Sequence, residues 1–166
     1  MLLKVLGCIL VTASSAGIGI NYINTLKKRV SALCDISEFM NVIKIKISYE
    51  LCDIPSALSH LSNKYYMAKK CLEHIKKGES LKGAWGIAID EFGEKMHLTS
   101  QDINLLKDFC VCFGETDIEG QISNFDMFIE LLNKSISEAK SKFNDKSKVI
   151  LSTSMFAGLL ISILLI

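Results

Sequence analysis

Two charge-free apolar stretches constrain this chain more than anything else in it: Val5 to Leu26 and Val149 to Ile166. Each approaches the ~20 residues that carry a helix across the ~30 Å hydrocarbon core of a bilayer. The segment between them has the size of one ordinary small domain. The 166 residues therefore divide into an N-terminal transmembrane helix (1–26), a central domain (27–148) and a C-terminal transmembrane helix (149–166).

The net charge of +1 hides an uneven distribution. Lys27, Lys28 and Arg29 follow the first apolar stretch, and Lys140, Lys142, Lys146 and Lys148 precede the second. Positive residues stay on the cytoplasmic flanks of membrane helices, so both clusters assign the central domain to the cytoplasm. The body of that domain is acidic. From Val30 to Asn133 it holds ten lysines against sixteen Asp and Glu, a net of −6. Such a surface excludes nucleic acid as a natural partner.

A cleaved signal peptide is the rival reading of the N-terminus, with "MLLK" as its basic region and "TASSA" as its small residues. Cleavage would export the Lys27–Arg29 cluster against the orientation rule. "VLGC" resembles a lipoprotein cleavage box, but the apolar run before Cys8 is too short for one. Cys34, Cys52, Cys71, Cys110 and Cys112 form no paired CxxC and no small-domain disulfide pattern, which suits a reducing compartment.

No alternating run bounded by turn pairs suggests a strand, and Pro55 is the single proline. Helical periodicity fills the middle of the chain. Leu33, Ile36, Met40, Ile43 and Ile47 recur at three and four, with Phe39, Val42 and Tyr49 broadening the apolar face. "CDIPSAL" reads as a stop and restart, with Asp53 or Ile54 at the cap and Pro55 in the first turn. Leu58, Leu61, Tyr65, Ala68, Leu72 and Ile75 then keep one apolar face until "KKGES". Ser80 caps a helix whose Leu81, Trp85, Ala88 and Phe92 face inward, and Thr99 with Asp102 resembles a capping box before Ile103, Leu106, Cys110 and Phe113.

The last helix carries the clearest signal. Ile118, Ile122, Phe125, Ile129, Leu132, Ile136, Ala139 and Phe143 alternate at four and three, a heptad seam of more than three repeats. No proline or glycine interrupts the chain between Gln121 and Gly158, so this helix is expected to continue into the C-terminal membrane segment. The fold class is accordingly all-α: a bundle of about six helices with a membrane helix at each end. Small residues at intervals of four would allow close helix approach: Ala13 and Gly17, Ser15 and Gly19, then Ser154, Gly158 and Ser162.

Constellations that carry chemistry are lacking. Cys71 with His74, and Cys110 with Cys112, do not make the four-ligand set of a structural metal site. Cys71 and Cys110 instead fall on apolar faces, as small hydrophobes do. His60, His74 and His97 sit in surface-like contexts, and no GxSxG, HExxH, Walker or GxGxxG motif occurs. The expectation is a protein without catalytic residues, cofactor or metal. The "FGETDIEGQ" junction resists a pure packing account. Gly114 and Asp117 have local reasons as a helix stop and an N-cap, whereas Glu115 and Gln121 do not.

These residues resemble the stage III sporulation protein AB family. "FGETDIEGQ" is similar to its LGxxDxxxQ signature at Gly114, Asp117 and Gln121, with Phe113 in place of Leu. "DIPSALSHLS" resembles its Pro-x-Ala-Leu segment at Pro55, Ala57 and Leu58, and "GESLKGAW" its Ala-Trp helix start at Ala84 and Trp85. The resemblance implies a component of the channel apparatus between mother cell and forespore, in the outer forespore membrane on the mother-cell side. It also implies a domain similar to those of inner-membrane platform proteins in type II secretion and type IV pilus machines. On that analogy the chain is a non-enzymatic scaffold. Its partners would be the secretion-type ATPase encoded in the same operon, other membrane components of the channel and the lipid bilayer.

Glu115, Asp117 and Gln121 are the candidate partner-binding residues. With one bundle domain where pilus-type proteins have two, a homo-oligomer is a further expectation. The alternative is a membrane-anchored sensor or regulatory binding protein, which would need a concave apolar pocket. An intramembrane enzyme ranks last, because neither membrane segment holds a charged residue beyond flanking Lys4.

Overall fold

The computed structural model describes residues 2–50, 53–110 and 118–164. They form six helices: α1 (Leu2–Glu50), α2 (Ile54–Leu61), α3 (Tyr66–Lys76), α4 (Leu81–Met96), α5 (Ser100–Phe109) and α6 (Ile118–Leu164). No strand occurs among the described residues. The chain divides into two compact units, a bundle from Ser31 to Ser137 and a pair of apolar helix ends formed by α1 up to Val30 and α6 from Glu138 onward.

The bundle follows its apolar periodicity. Leu33, Ile36, Phe39, Met40, Ile43 and Ile47 of α1 are buried, as are Phe125, Leu132 and Ile136 on the heptad seam of α6 and Phe128 beside it. Edge pairs fix the antiparallel register of the two helices: Lys44 with Asp126, and Ser37 donating to Asn133 at 3.5 Å. Aromatic side chains run through the interior from one helix to the next. Tyr65 meets Phe39 at 5.1 Å, Phe39 stacks on Trp85 at 6.1 Å, and Trp85 tilts against Phe109 at 5.7 Å. Phe109 then meets Phe125 and Phe128 edge-on at 4.8 and 5.1 Å. Each such ring removes a large apolar area from water and gains further from its offset or edge geometry.

Local signals account for the helix ends. Ser80 accepts from the Gly83 amide, and Thr99 forms a full capping box with Asp102. Asp53 is the N-cap of α2, without a side-chain capping bond, and Pro55 lies in the first turn, where its missing N–H leaves no bond unmade. Gly78 follows α3 at φ 97°, the left-handed conformation that closes a helix, and its amide donates to the Ile75 carbonyl. His97 closes α4 in the same conformation at φ 58° without being glycine.

Four details depart from the sequence reading. The run from Pro55 to "KKGES" is two helices. Ser62 turns its hydroxyl back onto the Ser59 carbonyl, and the Lys64 and Tyr65 amides both donate to the Leu61 carbonyl, so the chain leaves the helix and restarts. That break resets the phase, and α3 buries Met67, Ala68 and Cys71 while Leu72 and Ile75 stay half-exposed. Tyr49, expected on the core face of α1, is 84% exposed. His74, expected in solvent, is half-buried against Glu91 at 3.5 Å. Arg29, expected as a flanking charge like Lys27 and Lys28, is buried at 7% exposure.

The paired helix ends are built differently. Thr12 Oγ1 lies 3.2 Å from Ser162 Oγ, and Ser162 Oγ donates to the Cys8 carbonyl at 3.1 Å. Ser15 donates to the Ser154 carbonyl. A Cβ on Gly158 would stand 3.0 Å from Thr12 Cα, and one on Gly19 would collide with Ser154. Of the small residues noted above, Ser15, Gly19, Ser154, Gly158 and Ser162 make this contact, while Gly17 has nothing within 4 Å. Both helices are long and apolar enough to cross a membrane, and in α1 only 6% of the most apolar window is buried. A core helix of a soluble protein would be mostly covered.

Candidate functional site

The junction singled out by "FGETDIEGQ" is anchored on both sides by the bundle core. Trp85 Nε1 donates to the Leu106 carbonyl at 2.7 Å, tying the last turns of α5 to α4. Phe109, the final residue of α5, packs on Phe125 and Phe128 of α6. Glu115 and Asp117, together with Gly114, lie outside the described residues. Gln121 stands in the opening turns of α6 and is half-buried. Asp108 in the last turn of α5 and Glu119 in the first turn of α6 are both exposed, so acidic side chains flank the junction on each side. A carboxylate at a helix start is favoured by the partial positive charge there, which makes Glu119 locally stable as well as accessible.

A second polar feature was not singled out in the sequence. A groove of about 330 Å³ opens over α1, α3 and α4, with Phe39, Met67 and Phe92 as apolar lining and Tyr65 and Tyr66 as aromatic walls. At its rim Glu38 Oε1 accepts from Lys64 Nζ and from the Tyr65 hydroxyl, each at 2.8 Å. Those two bonds hold the Glu38 carboxyl below the usual glutamate range, and the bond to Glu38, followed by the neighbouring Tyr65 hydroxyl, raises the Lys64 ammonium. Asp35, one turn away, makes no hydrogen bond or ion pair among the described residues. Partial burial, and secondarily the charge of Glu38, raise its carboxyl above the usual aspartate range. The signal was present as Asp35 and Glu38 at i, i+3 on the polar edge of α1 and as "KYY" at residues 64–66.

Among the described residues no group of three His, Cys, Asp or Glu side chains is placed to hold a metal. Burial pushes the Cys71 thiol up to about 11, so at neutral pH it stays protonated and unreactive. Lys70, Glu73, His74 and Glu91 form a surface ion-pair cluster that links α3 to α4.

A family model described as stage III sporulation protein AB matches residues 4–166, nearly the whole chain. The chain belongs to that family. Comparison with curated proteins and with solved structures gives no match. Against the geometry, the family-like motifs divide into two kinds. Ala57, Leu58, Ala84 and Trp85 have no exposed surface and serve the bundle core, and Pro55 starts α2. Gln121 is the described member of the junction signature that reaches the surface of this family's domain.

Proposed function

We propose that the chain is a non-enzymatic platform of the sporulation channel between mother cell and forespore, held in the outer forespore membrane, with its bundle in the mother-cell cytoplasm. The bundle docks a secretion-type ATPase at the acidic junction, whose sequence carries Asp108, Glu115, Asp117, Glu119 and Gln121 in succession. The observation that carries this reading is the 47-residue helix α6, which runs from the junction through the bundle into the apolar C-terminal segment. A docking event at its first turn therefore acts on a helix that also enters the membrane. Family membership supplies the sporulation context, and the net acidic body suits a basic partner face.

The experiment is co-purification of the full chain, in detergent, with the operon's ATPase at low and high salt. Binding that weakens with salt and is lost in Glu115→Lys supports the platform. Binding at no salt concentration overturns it. The sensor reading is favoured by one observation, the aromatic-walled groove beside Asp35, the kind of concave pocket that such a protein would need.

A further inference from the structure

Within the paired helix ends, a groove of about 650 Å³ lies between α1 and α6. Its polar lining includes Tyr22 of α1 with Asp145 and Lys146 of α6; the remainder is mostly apolar, from Ile18 and Val149 to Ala157, with the hydroxyls of Thr153 and Ser154 also in its wall. Ala157 contributes only a methyl group to the groove, while Gly19 lets Ser154 of α6 approach closely. Lys146 has no hydrogen bond or ion pair among the described residues. Asp145 accepts from Ser141 at 2.9 Å through one carboxylate oxygen.

From this arrangement we infer that the groove is a phosphatidylethanolamine site. The polar lining offers one cation and one anion on successive residues, matching a headgroup of one phosphate and one primary ammonium. Lys146 meets the phosphate, the ammonium donates to Asp145, and the Tyr22 hydroxyl sits at the interfacial depth that tyrosine favours. From Lys146 to Ala157 the helix rises roughly 16 Å at 1.5 Å per residue. Half of a ~30 Å hydrocarbon core is about 15 Å, so one acyl chain lies along the groove to the bilayer midplane. A choline headgroup has no N–H to give Asp145, and a glycerol headgroup has no cation. The discrimination is therefore carried by the Asp145 hydrogen bond, while the Lys146 contact is common to all three lipids.

The inference rests on α1 and α6 crossing the membrane. Extraction of the chain from membranes by alkaline carbonate would break that premise separately. The test is native mass spectrometry of the full chain released from mixed micelles of phosphatidylethanolamine, phosphatidylcholine and phosphatidylglycerol with identical acyl chains. The expected result is one retained phosphatidylethanolamine, favoured about tenfold over the other two, as one charge-assisted hydrogen bond allows. Asp145→Asn should remove the preference and keep the lipid, Lys146→Gln should weaken all three, and Ala157→Phe should abolish retention. Equal retention of the three lipids, preference for phosphatidylglycerol, or an unchanged adduct in Ala157→Phe overturns the assignment. A cysteine cross-link between positions 12 and 162 shows whether the variants keep the helix pair.

Discussion

The bundle and the paired helix ends use opposite halves of the amino-acid alphabet for contact. In the bundle the largest apolar side chains turn inward: Trp85, Phe39, Phe109 and Leu33 are at most 1% exposed. In the helix pair they turn outward: Leu10, Ile18, Phe156 and Ile163 are at least 61% exposed, while glycine, serine and threonine make the contact. Water rewards burial of large apolar groups, whereas lipid tails solvate a leucine as well as a neighbouring helix does. Contact in an apolar solvent must come from close approach and hydroxyl bonds. The helix pair is thus built with contact residues that suit an apolar solvent, and the bundle with those that suit water.

The sharpest way to break that contrast is one substitution made in both regions. Leu33→Ala in the bundle is expected to cost about 2–5 kcal/mol, as removal of a fully buried leucine does. Leu160→Ala, at a position 63% exposed in the helix pair, should stay within about 0.5 kcal/mol. Urea unfolding of the full chain in detergent, read as a midpoint shift, measures both. Comparable losses would mean that the apolar ends are packed as a soluble core.

The converse substitution enlarges a small residue. Gly158→Leu must separate α6 from the Thr12 backbone, and overpacking of this kind costs about 1–3 kcal/mol. Oxidative cross-linking of Thr12→Cys with Ser162→Cys, in a background lacking the native cysteines, should fall about tenfold when Gly158→Leu is added. Undiminished cross-linking would show that close approach is not what joins the helices.

Next in size is the capping box of α5. Thr99→Ala removes the hydroxyl that accepts from the Asp102 amide and donates to its carboxylate, leaving Asp102 at 2% exposure with two bonds fewer. The expected loss is about 1–2 kcal/mol, with amide hydrogen exchange in α5 accelerated before that in α1. Uniform acceleration across the bundle would place the cap's effect elsewhere.

Elements whose logic is local were legible in the sequence. The caps at Ser80 and Thr99, the α6 seam and the apolar ends each follow from spacing within one helix. What the sequence hid needed tertiary context. The break between α2 and α3 involves serine hydroxyls turning back on the carbonyls three residues earlier, a weak bias that apolar spacing outweighed in reading "SALSHLSNKYYM". Tyr49 is exposed although its spacing groups it with the apolar residues of α1, and Arg29 is a cation that the fold buries. Of the candidate site, Gln121 stands out in the sequence as a polar residue without a local reason at a helix junction, but the groove beside Asp35 joins three helices that no spacing rule connects.

The smallest expected effect concerns charge, which the bundle uses at its edge. Glu38 is held below the ordinary 4.5 by its bonds from Lys64 and Tyr65, so its stabilising contribution is present near neutrality and fades as pH falls through that lowered value. Asp35 is raised above 3.8 by burial and by Glu38, so its ionised form costs stability at neutral pH, and the cost is relieved as pH falls through the raised value. The two substitutions should therefore differ in sign. Glu38→Gln lowers the urea midpoint at pH 7 and Asp35→Asn raises it, both modestly because these side chains are largely solvated. At pH 3 both differences should shrink. Ser15→Ala in the helix pair touches no titrating group and should shift the midpoint equally at pH 7 and pH 3. If Asp35→Asn destabilised the bundle at pH 7, Asp35 would have a partner that its present isolation denies, and the groove beside it would be part of the bundle's own structure and not open for a ligand.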